Sequence, residues 1–178
     1  DQPWHRRGYR RTGAAPKSFM DNVGVPLFRA LPLVQRILVE ENVRDKLKLL
    51  CAGKLINPGK QLTAMALGAD AVYTARGFMF ALGCIQAMKC NKNTCPTGIT
   101  THSKRLQKGL NPAEKSVRVN KFVERMRYGV GLIAHSCGVS SPRDLNRHHV
   151  RIVQSNGLSV HLDEFFPDLD TKEEYRAG

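Results

Sequence analysis

No run of this chain approaches the roughly eighteen consecutive apolar residues that a membrane helix needs, so no membrane role is expected. No charged n-region, apolar h-region and small-residue cleavage site opens it, so no secretory signal is read. The cysteines number five, an odd count with no even disulfide framework. That usage fits a reducing, cytoplasmic compartment. Acidic residues are few: 15 Asp and Glu stand against 28 Lys and Arg, a net charge of +13. The chain begins at Asp1 rather than Met, and at 178 residues it is expected to be one domain or a large piece of one.

An excess of positive charge can mark a nucleic-acid partner. Here the basic residues are not one block; they include three clusters, Arg6, Arg7, Arg10 and Arg11; Lys89, Lys92, Lys104, Arg105, Lys108, Lys115 and Arg118; and Arg143, Arg147, His148, His149 and Arg151. Arg6-Arg7-Gly8-Tyr9-Arg10-Arg11 has the look of a short RNA-binding arm. A dispersed, solvated basic surface is the favoured reading over nucleic-acid binding, and it also suits an anionic cofactor.

The densest chemistry lies in Gly83 to Gly98, where Cys84, Cys90 and Cys95 fall within twelve residues. A short turn-rich segment can bring thiolates together at little closure cost, which is what an iron–sulfur cluster requires. Pro96 fixes the direction in which the chain leaves Cys95. Zinc is an alternative, although structural zinc prefers closer cysteine pairs and four ligands. Buried packing cysteines are another.

Helical apolar spacing is read from Pro26 to about Val43, with Pro32 marking a break or kink. Lys46–Cys51 reads as a buried strand leading into the Gly53-Lys54 loop. Asn57-Pro58 opens a helix that Gly68 ends. Ala71–Thr74 reads as a second strand, Ala75-Arg76-Gly77 as a loop, and Phe78–Met88 as a helix delivering Cys84. Strand, glycine loop and helix, twice over, predict an α/β fold with parallel strands and a site at their carboxyl ends. The backbone amides there suit a phosphate. Asn111-Pro112-Ala113-Glu114 has the capping-box pattern of a long helix, and Ser141-Pro142 opens a short one packed beside it. Arg151–Val153 reads as a short strand. His135 with Cys137, and His148 with His149, are read as scaffold and surface rather than as catalytic or metal-binding pairs.

Three stretches carry a resemblance. Ala75 to Cys84, Cys90 to Gly98 and Leu106 to Leu110 are similar to the FMN-binding domain of glutamate synthases, most of all to the shorter glutamate synthase-like FMN proteins of prokaryotes. Thr12-Gly13-Ala14-Ala15-Pro16, Gly53-Lys54-Leu55 and Ile133-Ala134-His135-Ser136-Cys137-Gly138 fit as well. The resemblance implies the C-terminal part of a (β/α)8 TIM barrel with a helical C-terminal extension. Residues 1–100 would hold the last βα units and the cysteine loop, and 101–178 the extension. A whole barrel needs about 250 residues, so a longer protein is implied, and an isolated C-terminal part would expose a strand edge.

The resemblance also assigns residues. Cys84, Cys90 and Cys95 would hold a 3Fe–4S cluster. Gly53 and Lys54, after the seventh strand, and Ala75, Arg76 and Gly77, after the eighth, would bind the FMN phosphate. Thr12 and Gly13 would lie near flavin and substrate. The implied enzyme is an oxidoreductase that makes glutamate from 2-oxoglutarate and ammonia, usually released from glutamine, with electrons from an NAD(P)H-linked subunit or ferredoxin. At His5–Arg11, arginines stand where the family has a glycine-rich run of the type Asp-Gly-Gly-x-Gly-Gly, which marks residues 1–11 as foreign to the pattern. The reading from another class is a small basic zinc or iron–sulfur module that binds nucleic acid without catalysis.

Overall fold

The computed structural model of the chain describes residues 23–166. Thr12, Gly13 and the arginine-rich stretch before them lie outside the described residues.

Helix α1 (Leu27–Glu40) buries Phe28, Leu31, Pro32 and Gln35, a stripe at helical spacing. It runs through Pro32 without the expected break. A proline in a helix interior forfeits one hydrogen bond, and here its ring is packed on the buried face.

Strand β1 (Leu50–Ala52) starts later than the sequence suggests. A 3-10 turn, Arg44–Lys46, precedes it, and the intervening backbone is held by polar side chains. Buried Arg44 donates through Nε to Gln35 Oε1 (2.6 Å), through Nη1 to Leu47 O (3.0 Å), and through Nη2 to Gly68 O (2.9 Å) and Asp70 Oδ2 (2.7 Å). The same Asp70 oxygen accepts from Leu49 N at 2.7 Å. A carboxylate holding a strand-edge amide replaces the ladder there, so regular pairing begins only at Leu50.

Helix α2 (Pro58–Ala66) begins as read: Asn57 Oδ1 accepts from Lys60 N at 2.9 Å and Pro58 takes the first helical position. It ends in a Schellman turn, with Gly68 N bonded to Met65 O, Ala69 N to Ala64 O, and Gly68 at φ +115. Strand β2 (Ala71–Tyr73) then pairs with β1 in parallel, with Leu50 against Ala71 and Ala52 against Tyr73. This β1–α2–β2 crossover is the expected parallel α/β unit. Helix α3 (Ala75–Ala81) follows directly.

Helix α4 (Lys104–Gln107) and the long α5 (Pro112–Ser136) come next. Asn111 caps α5 through Ala113 N, but Glu114 does not close the expected capping box. Its carboxylate is drawn instead to Lys115 Nζ (3.0 Å) and Arg118 Nη1 (3.8 Å). The reciprocal box occurs at Ser141 and Asp144, in a 3-10 turn. Beyond it the extension is not purely helical. Strands β3 (Arg151–Val153) and β4 (Ser159–His161) form an antiparallel hairpin, followed by the short α6 (Leu162–Phe165). Gly157 in the connecting turn takes φ +81, a conformation open to glycine.

The main core joins both ends of the described chain. Phe28 and Leu31 of α1 pack with Cys51, Leu55, Ala64 and Leu67, and with Ile152 and Leu162. A second cluster, Leu62, Ala134 and Leu145, holds α2 against α5. No helix among the described residues is long and apolar enough to cross a membrane.

Candidate functional site

Register places the two expected loops side by side. Ala52 pairs with Tyr73 in a parallel ladder, so Gly53 and Thr74 leave the carboxyl ends of adjacent strands together. Ala75, Arg76 and Gly77 are not a loop, however; they form the first turn of α3. Both glycines also have a packing reason. A Cβ on Gly77 would lie 2.5 Å from Phe122 Cζ and 2.9 Å from Thr74 Oγ1, and one on Gly53 would lie 3.1 Å from Leu27 Cδ2. Lys54 takes a left-handed φ of 54, uncommon for a residue with a side chain. The Thr74 hydroxyl is buried without a hydrogen-bond partner.

Helix α3 ends at Ala81, short of the Phe78–Met88 expected. Gly83 at φ +99 closes it, with Gly83 N bonded to Phe80 O and Cys84 N to Met79 O, both at 2.9 Å. These are the two bonds of a Schellman turn. They set Cys84 directly after the turn that closes the helix. Gln86 and Met88 then take φ of 57 and 55, which helical backbone does not allow, and Cys90–Lys92 form a 3-10 turn.

Cys95 is anchored from behind. Asn93, at φ 59, accepts Thr101 Oγ1 on its carbonyl (2.7 Å) and His102 N on its side chain (2.6 Å). Gln107 Nε2 donates to Thr101 O at 2.9 Å. Gly98, at φ +80, lets the chain pass so close to α4 that a Cβ would lie 2.3 Å from Leu106 O. A Cβ on Gly109 would likewise meet Thr97 O at 3.2 Å. Leu106–Leu110 is thus a clamp on the segment that follows Cys95.

Cys84, Cys90 and Cys95 line one cavity of about 90 Å³, together with Arg76, Met79, Phe80, Lys89 and Thr97. Burial pushes the Cys95 thiol up, but the side chains and backbone of Thr97 and Thr100 outweigh it, and the pKa falls to about 6. Cys95 Sγ lies 3.3 Å from Thr97 Oγ1. The Thr100 hydroxyl faces the same sulfur but lies outside hydrogen-bonding geometry; it is buried and has no partner. Two cations stand beside the turn before Cys84, since a Cβ on Gly83 would lie 3.6 Å from Arg118 Nη1 and 3.7 Å from Lys115 Nζ. The sequence reading gives Thr97 and Thr100 no role, and it places Lys115 and Arg118 only in a basic group suited to an anionic cofactor. The run Thr97-Gly98-Ile99-Thr100-Thr101 was the available signal.

Thiolates on a single zinc at about 2.3 Å would stand about 3.8 Å apart. Among the described residues, the group whose ligand atoms converge within 4.8 Å is His148, His161 and Asp163, not the cysteines. The three cysteines share a cavity without converging as that group does. The histidine group is itself ill-suited to an ion. Its two rings are stacked at 4.8 Å with planes 1° apart, so their in-plane lone pairs run parallel rather than meeting, and Arg151 Nη1 lies 2.6 Å from His161 Nε2. A larger cavity of about 140 Å³, between α1, α2 and the hairpin, is lined by Phe28, Leu67, Ile152 and Leu162 and contains no cysteine.

The conserved region of glutamate synthase matches residues 8–140, which takes in Gly8 to Arg11 of the arginine-rich stretch. The chain belongs to the glutamate synthase family. It is 41% identical over 152 residues to the glutamate synthase large subunit-like protein YerD of Bacillus subtilis (strain 168), covering 85% of this chain and 29% of that protein. It is 35% identical over 152 residues to the archaeal glutamate synthase (NADPH) of Methanocaldococcus jannaschii, covering 84% and 30%. It is 37% identical over 112 residues to the ferredoxin-dependent glutamate synthase of Cyanidium caldarium, covering 63% and 7%. The chain thus spans about three tenths of the length of the first two of these curated relatives. The cysteine cavity, the Gly53–Lys54 turn and the first turn of α3 lie inside the matched family region.

Proposed function

We propose that this chain is the carboxyl-terminal part of the FMN-binding barrel of a glutamate synthase-type oxidoreductase. In that reading β1 and β2 are the last two barrel strands. The observation that carries it is the cavity onto which Cys84, Cys90 and Cys95 open beside Arg76. Three thiols on one cavity, one of them already acidified, suit a 3Fe–4S cluster. FMN and the cluster, when bound, would supply hydride and single-electron transfer respectively.

The chain's own residues bind and orient. Gly53, Lys54, Ala75, Arg76 and Gly77 stand where adjacent parallel strands end, the position at which α/β folds hold phosphates. The buried, unpartnered Thr74 hydroxyl at that edge lacks an acceptor that an anion would provide. Arg76 belongs both to that edge and to the cysteine cavity, so the two groups would be neighbours. Thr12 and Gly13 would complete the flavin side, with earlier strands of a longer protein. The substrates in this reading are 2-oxoglutarate and ammonia or glutamine, and the electron donor is an NAD(P)H-linked subunit or ferredoxin, as the relatives' names suggest. The setting is the cytoplasm. No observation favours the nucleic-acid module.

Anaerobic purification followed by iron, sulfide and flavin analysis tests this. Iron and sulfide in cluster proportion support it, as does loss of iron on Cys90→Ser with the fold intact. A colourless protein containing only zinc, or unchanged iron in Cys90→Ser, overturns it.

A further inference from the structure

We propose that the hydroxyls of Thr97 and Thr100 are hydrogen-bond donors to the sulfur of Cys95 when a cluster is bound, and that they set the cluster's reduction potential. The inference rests on the cluster reading above.

The geometry singles out these two among their neighbours. In Thr97-Gly98-Ile99-Thr100-Thr101, the Thr101 hydroxyl is fully engaged by the fold: it donates to Asn93 O at 2.7 Å and accepts from Ser103 N at 3.1 Å. Thr97 instead turns its hydroxyl to Cys95 Sγ at 3.3 Å. Thr100 helps to lower the Cys95 thiol pKa through its backbone and side chain, and its buried hydroxyl makes no hydrogen bond of its own. A buried hydroxyl without an acceptor is a net cost that folded proteins seldom tolerate. A thiol is a weak acceptor, whereas a thiolate ligated to iron carries negative charge and accepts well. Cluster binding therefore supplies the acceptor that Thr100 lacks.

The consequence for redox behaviour follows from charge. Reduction adds an electron to a group that is already anionic. Donors aimed at its sulfurs stabilise the more negative, reduced form and raise the potential. Neither threonine is a ligand, so each acts through Cys95 as a positioning residue. Gly98 and Gly109 bring the backbone of Thr97 and Gly98 close to Leu106, and Gln107 holds Thr101 O, which limits the freedom of the segment carrying both threonines to reorient.

The test uses the protein carrying its cluster, purified anaerobically, with EPR-monitored redox titration and iron and sulfide analysis. The variants are Thr97→Val, Thr100→Val and Thr100→Ser. The valines keep volume and remove the donor, and the serine keeps the donor. Each valine is expected to retain iron and to shift the reduced-to-oxidised ratio at the wild-type midpoint about threefold toward oxidised, about 30 mV for a one-electron couple. Thr100→Ser is expected to restore the wild-type value. A full cluster with an unshifted midpoint in both valine variants overturns the proposal while leaving the cluster reading intact. If Thr100→Val loses iron, Thr97→Val decides: an unshifted potential there overturns the proposal. A wild-type protein without iron sinks the cluster reading itself, and this proposal with it.

Discussion

Gly98→Ala should empty the cysteine site without touching a ligand. Gly98 holds φ +80, and a methyl there would lie 2.3 Å from Leu106 O and 3.1 Å from Leu106 C, both backbone atoms. Two costs separate. The left-handed backbone costs an L-residue about 1–2 kcal/mol. The overlap must be relieved by moving either the Cys95–Gly98 turn or α4, at a further 1–3 kcal/mol or so by analogy with overpacked cores. A control isolates the first term: Gly138 has the same φ of +80, but nothing lies within 4 Å of its missing Cβ. Gly138→Ala should thus lose about 1–2 kcal/mol in urea unfolding and keep its iron. Gly98→Ala should lose roughly twice as much, and most of its iron after anaerobic reconstitution, because the strain falls on the turn that carries Cys95. Equal urea midpoints for the two variants, with full iron in both, would refute the reasoning. In that case the turn would be free to move away from α4, and the clamp at Leu106–Gly109 would be no clamp.

Arg44→Met should destabilise the fold by about 2–4 kcal/mol, read from urea melts, because it strands Asp70 and the buried carbonyl of Gly68; a loss below about 0.5 kcal/mol would show that the network is dispensable. Gly77→Ala should be destabilising through its 2.5 Å approach to Phe122 Cζ and should be relieved in the double variant with Phe122→Leu; strictly additive losses would mean that the glycine serves the backbone and not the packing of α3 on α5. In the metal-free protein, alkylation of Cys95 should rise with a midpoint near pH 6, while Cys51, pushed up to about 11 by burial, stays inert below pH 9. The sign for stability follows: a thiol depressed from 9.0 to about 6 contributes fully above pH 9, and that contribution is lost as pH falls through 6. A Cys95 midpoint near pH 9 by mass spectrometry, or stability that falls from pH 6 to 9 in a way Thr97→Val does not change, would contradict the arrangement.

Much of the fold was legible because its signals are local. Asn57-Pro58 and Gly68 delimit a helix by the chemistry of their own backbones, and both ends stand where they were read. The parallel pairing of β1 and β2 follows from a helix lying between two short apolar runs. The misreadings come from side-chain partners and strand partners that local patterning does not reveal. The late start of β1 depends on Arg44 and Asp70, which are 26 residues apart. Glu114 fails to box its cap because Lys115 and Arg118 offer charge, and a charged partner outcompetes a backbone amide. The β3–β4 hairpin was half seen, since Arg151–Val153 reads as a strand while its partner Ser159–His161 offers only one strongly apolar residue, Val160.

The site divides along the same line. Cysteine spacing states which sulfurs can share a loop, and the structure does bring all three to one cavity. Spacing says nothing of how far apart those sulfurs are held or what they hydrogen-bond, and both matter for the chemistry. The three cysteines are not among the described residues whose ligand atoms converge most tightly, so the loop does not present a ready-made single-ion site. Donors crowded onto Cys95 make it the most acidic of the shifted thiols. The glycines carry a parallel lesson. Gly53 and Gly77 attract a phosphate reading because they follow strands, yet each would also clash with a specific side chain, Leu27 or Phe122, if it bore a Cβ. The two roles are compatible: a helix packed this closely on its neighbour presents its first turn at a fixed height above the strand ends, and that fixed height is what a rigid anion such as a phosphate would need. Relieving Phe122 should therefore loosen the position of Arg76 before it loosens the cysteines, since Arg76 rides on the turn that Gly77 seats, whereas Cys95 is held from α4.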